Sequence, residues 1–272
     1  MNLHSTRILH RAFSLVELLI VVAVIAILLG LLLPALARAR VSARLVECAS
    51  NIRQLLLAND LYANDHADRA MPAAPEIQTK NLQRWHGSRP RAGQPFRSEH
   101  APLSPYLDST ESQGVRSCPE FAFTLAALAQ RGKGFERGCG GYGYNAAFLG
   151  SDRAESTTGI WILLTDRLGA RRSRFRAPSS TLAFADAALA ADDLIEYSFV
   201  EPPRWPQFPD FRPDPSTHFR HAARASIAWL DGHVTPEPLT HTESSGLYPL
   251  NPASASIGWT GDTDSNSLYD YH

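Results

Sequence analysis

The sequence predicts an α+β protein: a long N-terminal helix, transmembrane in its first half and amphipathic in its second, packed on a mainly antiparallel β-sheet head. Three observations predict it. An uncharged apolar run fills positions 18–33, a stripe of residues at steps of three and four follows, and apolar runs of strand length recur in the second half.

The run LLIVVAVIAILLGLLL, from Leu18 to Leu33, extends back to Phe13 and forward to Leu36 with only Glu17 and Pro34 interrupting it. Those 24 residues make a helix of roughly 36 Å, against a hydrocarbon core of about 30 Å. His4, Arg7, His10 and Arg11 precede it with no acidic residue among them. The positive-inside rule then keeps residues 1–12 in the cytoplasm and sends the rest across the membrane. Ala35 and Ala37 would also suit the cleavage site of an ordinary secretory signal. Glu17 argues against that reading, because a charged side chain inside a span costs on the order of 2.5–3.5 kcal/mol and marks a function.

The residues around Glu17 carry a resemblance. Ala12-Phe13-Ser14-Leu15-Val16-Glu17-Leu18-Leu19 resembles the processing site of type IV prepilins and type II secretion pseudopilins, in which a dedicated peptidase cuts before a Phe and methylates the new amine. Counted from Phe13, Glu17 and Pro34 fall at the fifth and twenty-second mature positions, where that family has its Glu and Pro. Ala12 stands where the family nearly always has Gly; as the next residue in size it is expected to slow the cut rather than abolish it. The resemblance implies a structural subunit rather than an enzyme, with the prepilin peptidase, other pilin or pseudopilin subunits and the inner membrane as partners. Residues 1–12 are then the leader and residues 13–36 the single membrane span, with the head outside the cytoplasm and later in a periplasmic or surface filament. Glu17 is assigned to assembly. Once the apolar helices pack together in a filament, its carboxylate needs a cation, and the new amine at Phe13 of a neighbouring subunit supplies one.

Beyond Pro34 the pattern becomes a stripe at Val41, Leu45, Cys48, Ile52, Leu55, Asn59 and Tyr62, with Arg38, Arg40, Arg44, Glu47 and Arg53 largely off it. One helix is expected from about Ser14 to Asn64, kinked at Pro34 where a backbone hydrogen bond is lost. Residues 37–66 form its amphipathic continuation and one wall of a head spanning 67–272. Residues 67–120, rich in Pro, Arg and Gly, read as an ordered excursion rather than a second domain. Strands are expected over Gly159–Leu164, Thr181–Ala185 and Ala225–Leu230.

His221 is followed by nine residues and then Asp231-Gly232. This resembles the processing-associated H-x9-DG proteins, a pseudopilin-like family with the same N-terminal signature. The Cys48, Asn51, Gln54 pattern, Cys118-Pro119, Tyr142-Gly-Tyr-Asn145 and Asp231-Gly-His-Val234 match its usual surroundings. That family implies the fold and no biochemical activity, so His221, Asp231 and Gly232 are motif residues without an assigned role. Asp231-Gly232 has the composition of a two-residue type I′ hairpin turn. The competing functional reading groups His218, His221, Asp231 and His233 as metal ligands or an acid–base pair.

The remaining chemistry is sparse. The 26 basic and 27 acidic residues give a net charge of -1, which offers no overall field to recruit nucleic acid. Only the local run Arg167, Arg171, Arg172, Arg174 and Arg176 would suit an anionic polymer, against the reading of a solvated loop. Gly138-Cys-Gly-Gly-Tyr-Gly143 is followed by no Lys-Ser/Thr and is no phosphate loop. Cys48, Cys118 and Cys139 contain no CxxC pair of the kind zinc ribbons use, which argues against a structural zinc site. Either two of the three form a disulfide or all three are buried thiols. The one cofactor the sequence suggests is calcium. Asp262, Asp264 and Asn266 alternate as in the start of a calcium loop, but the sixth position is Ser267 rather than Gly, and a solvated acidic tail is the competing reading.

Overall fold

A computed structural model describes residues 15–107, 117–132, 134–262 and 265–270. Helix α1 runs without interruption over Leu15–Asp65, through Pro34. Its N-terminal half meets the length and composition of a membrane span, and the large side chains from Leu15 to Leu36 are exposed, as a lipid- or subunit-facing surface would be. The chain divides into two compact units, residues 1–43 and 44–272, so the boundary falls inside α1 rather than at its end.

Within the second unit α1 buries Cys48, Asn51, Ile52, Leu55, Leu56, Ala58, Asn59 and Ala63. The expected stripe is therefore the packed face from Cys48 to Asn59, with Leu45 and Tyr62 half-buried, whereas Val41 is exposed. Asn59 does not interrupt that face. Its Oδ1 accepts the Met71 N–H at 2.9 Å and ties the returning chain to the helix.

The central sheet has four strands, β1 Tyr142–Tyr144, β2 Leu182–Asp186, β3 Arg224–Trp229 and β4 Val234–Pro238, in the spatial order β4-β3-β2-β1 with every pair antiparallel. All five residues of β2 are buried, which is why the first four read as continuously apolar rather than alternating. Two-stranded antiparallel ribbons surround the sheet. One pairs Asp152–Glu155 with Trp161–Thr165, so the expected strand near Gly159–Leu164 exists but lies outside the central sheet with Ile162, Leu163 and Leu164 exposed. A short helix α2, Ala122–Gln130, adds to the elements that the sequence pattern predicts.

The segment after α1 is held from inside. Trp85 is fully buried and its indole N–H donates to the Ser198 carbonyl at 2.7 Å. Beside it the buried Arg84 guanidinium meets Glu136 at 2.5 Å, Ser198 donates to the same carboxylate, and the cation sits over the Phe96 and Phe199 rings. Satisfied on all sides, this pair fixes a loop segment that has almost no regular structure. Tyr142-Gly-Tyr-Asn145 is a packing device: Tyr144 stacks on Phe184, and Gly143 admits the Phe199 carbonyl where a Cβ would come to 2.6 Å.

Candidate functional site

Ala12 and Phe13 lie outside the described residues. Glu17 is exposed in the first turn of α1, where the partial positive charge of the helix N-terminus favours a carboxylate, and it interrupts an otherwise apolar surface. Pro34 removes the hydrogen bond that the Gly30 carbonyl would accept, yet the helix continues on both sides of it.

The His/Asp grouping around the H-x9-DG spacing comes apart. Asp231 is on the surface, where its Oδ1 meets the ring of His233 at 2.5 Å and also accepts the His233 N–H. His221 is buried and directed elsewhere. The turn expected at Asp231-Gly232 is not type I′: Gly232 N–H bonds to the Trp229 carbonyl, Trp229 N–H to the His233 carbonyl, and only Gly232 has positive φ, at 104°. This is a three-residue loop, a type I turn followed by a left-handed glycine. A reciprocal two-residue turn occurs nine positions earlier, where His221 and Arg224 exchange both backbone hydrogen bonds around Ala222 and Ala223, at φ 53° and 61°. The nine-residue spacing thus measures one strand, β3, with a tight turn at each end.

That first turn places His221 in a buried cluster. Its Nε2 lies 3.3 Å from Asp186 Oδ2 at the end of β2 and 3.6 Å from Cys118 Sγ, and Cys118 is in turn disulfide-bonded to Cys48 of α1, with Cα atoms 5.3 Å apart. Arg220 pairs with Asp186 Oδ1 at 3.2 Å and lies over the Phe121 ring, while the Ser226 N–H donates to Oδ2 at 2.7 Å. Burial opposes ionisation of Asp186, but Arg220, His221 and the Ser226 N–H together hold its carboxyl below the ordinary range. Asn51 of the Cys48 pattern donates to the Tyr142 hydroxyl nearby, whereas Gln54 is exposed. Of the predicted residues Cys48, Cys118 and His221 therefore converge. Asp186 was missed, although a carboxylate closing an otherwise apolar strand was its signal. Cys139 is buried as a free thiol, its titration pushed up first by burial and then by Glu196.

Other sequence candidates are engaged in the fold. The buried His218 packs against Phe121 and is held neutral, burial pushing its titration down to about 3. Gly138 and Gly140 donate their N–H groups to the Glu196 carboxylate, so the glycine-rich loop cradles the protein's own anion. Arg167 pairs with Glu76, Arg172 with Asp60 and Asp68, Arg174 with Asp152, and Arg171 donates to the Ala67 carbonyl. Arg171 and Arg172 thereby clip this segment to the end of α1 and the residues just after it. Asn266 exchanges two hydrogen bonds with the backbone of Arg204, Asp262 is exposed, and Asp264 lies outside the described residues. A cavity of about 200 Å³ is lined in part by Arg153, Trp205 and Glu201, whose carboxyl is pushed up to about 7 by burial although the Tyr197 hydroxyl donates to it.

The fold and the N-terminal geometry together define an α+β protein of type IV pilin-like arrangement, with a long apolar N-terminal helix and a mainly antiparallel head. Residues 9–33 match the family model described as the prokaryotic N-terminal methylation motif. No curated protein and no solved structure matches the chain.

Proposed function

We propose that the chain is a structural subunit, pilin- or pseudopilin-like, of a type II secretion pseudopilus or a type IV pilus-like filament. It waits in the inner membrane with residues 1–12 in the cytoplasm and its head outside, is cut before Phe13 by a prepilin peptidase, and joins other such subunits through its apolar helix. The observation that carries this reading is the methylation motif at 9–33 running directly into a 51-residue helix whose first half is apolar and exposed. A free-standing membrane anchor has no need of Glu17, whereas a packed helical assembly gains axial register from pairing it with the amine of a neighbour. The role is mechanical, and the head with its H-x9-DG spacing is the part that the filament presents. The arginine run lends no separate support to a nucleic-acid-binding subunit, because four of its five members bind within the fold.

The test replaces Glu17 by Leu in cells that carry the cognate peptidase. Cleavage should persist while the subunit disappears from the sheared filament fraction and accumulates in the membrane. Undiminished incorporation of the Leu variant would refute the pairing.

A further inference from the structure

The cluster around His221 has the composition and spacing of a metal site. Cys48 Sγ, Cys118 Sγ, one Asp186 oxygen and one His221 nitrogen lie within 4.8 Å of one another, and all four residues are buried. We propose that when Cys48 and Cys118 are thiols, this tetrad binds a zinc ion, and that the disulfide is the metal-free state of the same site.

Three features support the assignment. The first is geometric: tetrahedral zinc with bonds of about 2.0–2.3 Å has ligand–ligand edges of about 3.3–3.8 Å. The His221 nitrogen stands 3.3 Å from the Asp186 oxygen and 3.6 Å from the Cys118 sulfur. A single ring nitrogen thus faces a carboxylate and a sulfur at once, sharing at most one hydrogen between them, at the separations that the edges of a zinc tetrahedron have.

The second is electrostatic. In the disulfide state Asp186 is balanced by the buried Arg220. Zinc brings a charge that the two thiolates cancel, so the pocket is neutral in both states and neither leaves a bare buried charge. The third is support from outside the ligand set. Arg220 and the Ser226 N–H fix the carboxylate, and the tight turn at Ala222 and Ala223 fixes His221. Ligands of a structural site are oriented in this way by their surroundings. With two sulfurs, a nitrogen and an oxygen, four protein ligands and full burial, the site suits tetrahedral zinc in a closed, structural role.

The absence of a CxxC pair does not weigh against this, because the ligands come from α1, the segment before α2, the end of β2 and the turn before β3. Conversion of one state into the other is balanced. A phosphine reductant takes up oxygen from water as the disulfide gains two electrons and two protons, and zinc then displaces the two thiol protons to solvent.

The test uses the full chain in detergent, reduced anaerobically with a phosphine and titrated with cobalt(II) as a spectroscopic substitute for zinc. One cobalt per chain is expected, with the visible bands of a tetrahedral ion and an ultraviolet thiolate-to-metal charge-transfer band, both abolished by equimolar zinc. His221→Gln should weaken binding at least about 100-fold, since even loss of an outer partner costs about 10–100-fold. His221→Cys, which restores a ligand, should recover most of it, and Cys139→Ser should change nothing. The unreduced chain should bind no cobalt with thiolate character. Circular dichroism checks that reduced protein and variants remain folded. The proposal is overturned if folded, reduced protein binds no cobalt, binds it without the charge-transfer band, or binds it equally well in the Gln variant. A reduced chain that unfolds and is not refolded by zinc overturns it as well.

Discussion

His86 is fully buried between Trp85 and Phe96, and neither ring nitrogen has a hydrogen-bond partner among the described residues. Burial first, and then Arg84, push its titration from 6.5 down to about 3. Between those values the unfolded chain takes up a proton that the folded chain refuses, so this ring contributes a stability that falls as the pH drops below 6.5. Moving from pH 7 to pH 5 should cost about 2 kcal/mol through this one residue. In His86→Leu, urea unfolding of the detergent-solubilised protein at the two pH values should show a pH dependence smaller by about that amount. Asn145 is a second such point. Its amide donates to the Leu182 and Tyr269 carbonyls and its oxygen accepts the Phe148 N–H, all buried. Asn145→Ala removes three buried hydrogen bonds to the backbone and should destabilise the head by about 2–4 kcal/mol in the same measurement. At this scale the sequence is least legible. The spacing of His221, Cys48 and Cys118 is visible in the chain, but their meeting point depends on Asp186, marked only as the carboxylate that closes an apolar strand, and on Arg220, which no local pattern singles out.

Elements were legible where periodicity is long or an apolar run is continuous. The 51-residue helix and the strands at Leu182–Asp186 and Arg224–Trp229 follow from such patterns. Turns were not, because backbone conformation can override residue preference. Asp231-Gly232 has the composition of a type I′ turn, yet the turn with two left-handed residues is at Ala222-Ala223, where side chains are disfavoured. The double substitution Ala222→Asn, Ala223→Gly should therefore raise the urea midpoint, corresponding to about 1–2 kcal/mol of added stability. The opposite holds at Gly143, where a Cβ would meet the Phe199 carbonyl and the Ala187 side chain at 2.6 and 2.7 Å. Gly143→Ala should cost about 1–3 kcal/mol by forcing β1 away from its neighbours. Helix α2, nine residues of mostly Ala, Leu and Phe, leaves no signal in the sequence because it is too short for a stripe to stand out.

For the whole molecule, two devices at opposite ends of α1 support one account. Near its start lie the methylation motif and Glu17, which on the proposed reading belong to a helix that is processed and packed among others; toward its end, Cys48, Asn51 and Asn59 fasten the helix to the head. A subunit pulled by its helix transmits force to its head, and a cross-link at Cys48 carries that force through a covalent bond rather than through packing alone. Fold class was readable at this scale because the apolar run, the stripe and the strand-length runs all pointed to the same architecture. The measurement that tests the central claim most directly is the N-terminal sequence and intact mass of the membrane-extracted chain, made with and without the cognate prepilin peptidase. The account predicts a peptidase-dependent start at methylated Phe13, reached slowly because Ala12 replaces Gly. A start after Ala35 or Ala37, or a persistent Met1 when the peptidase is present, would contradict it.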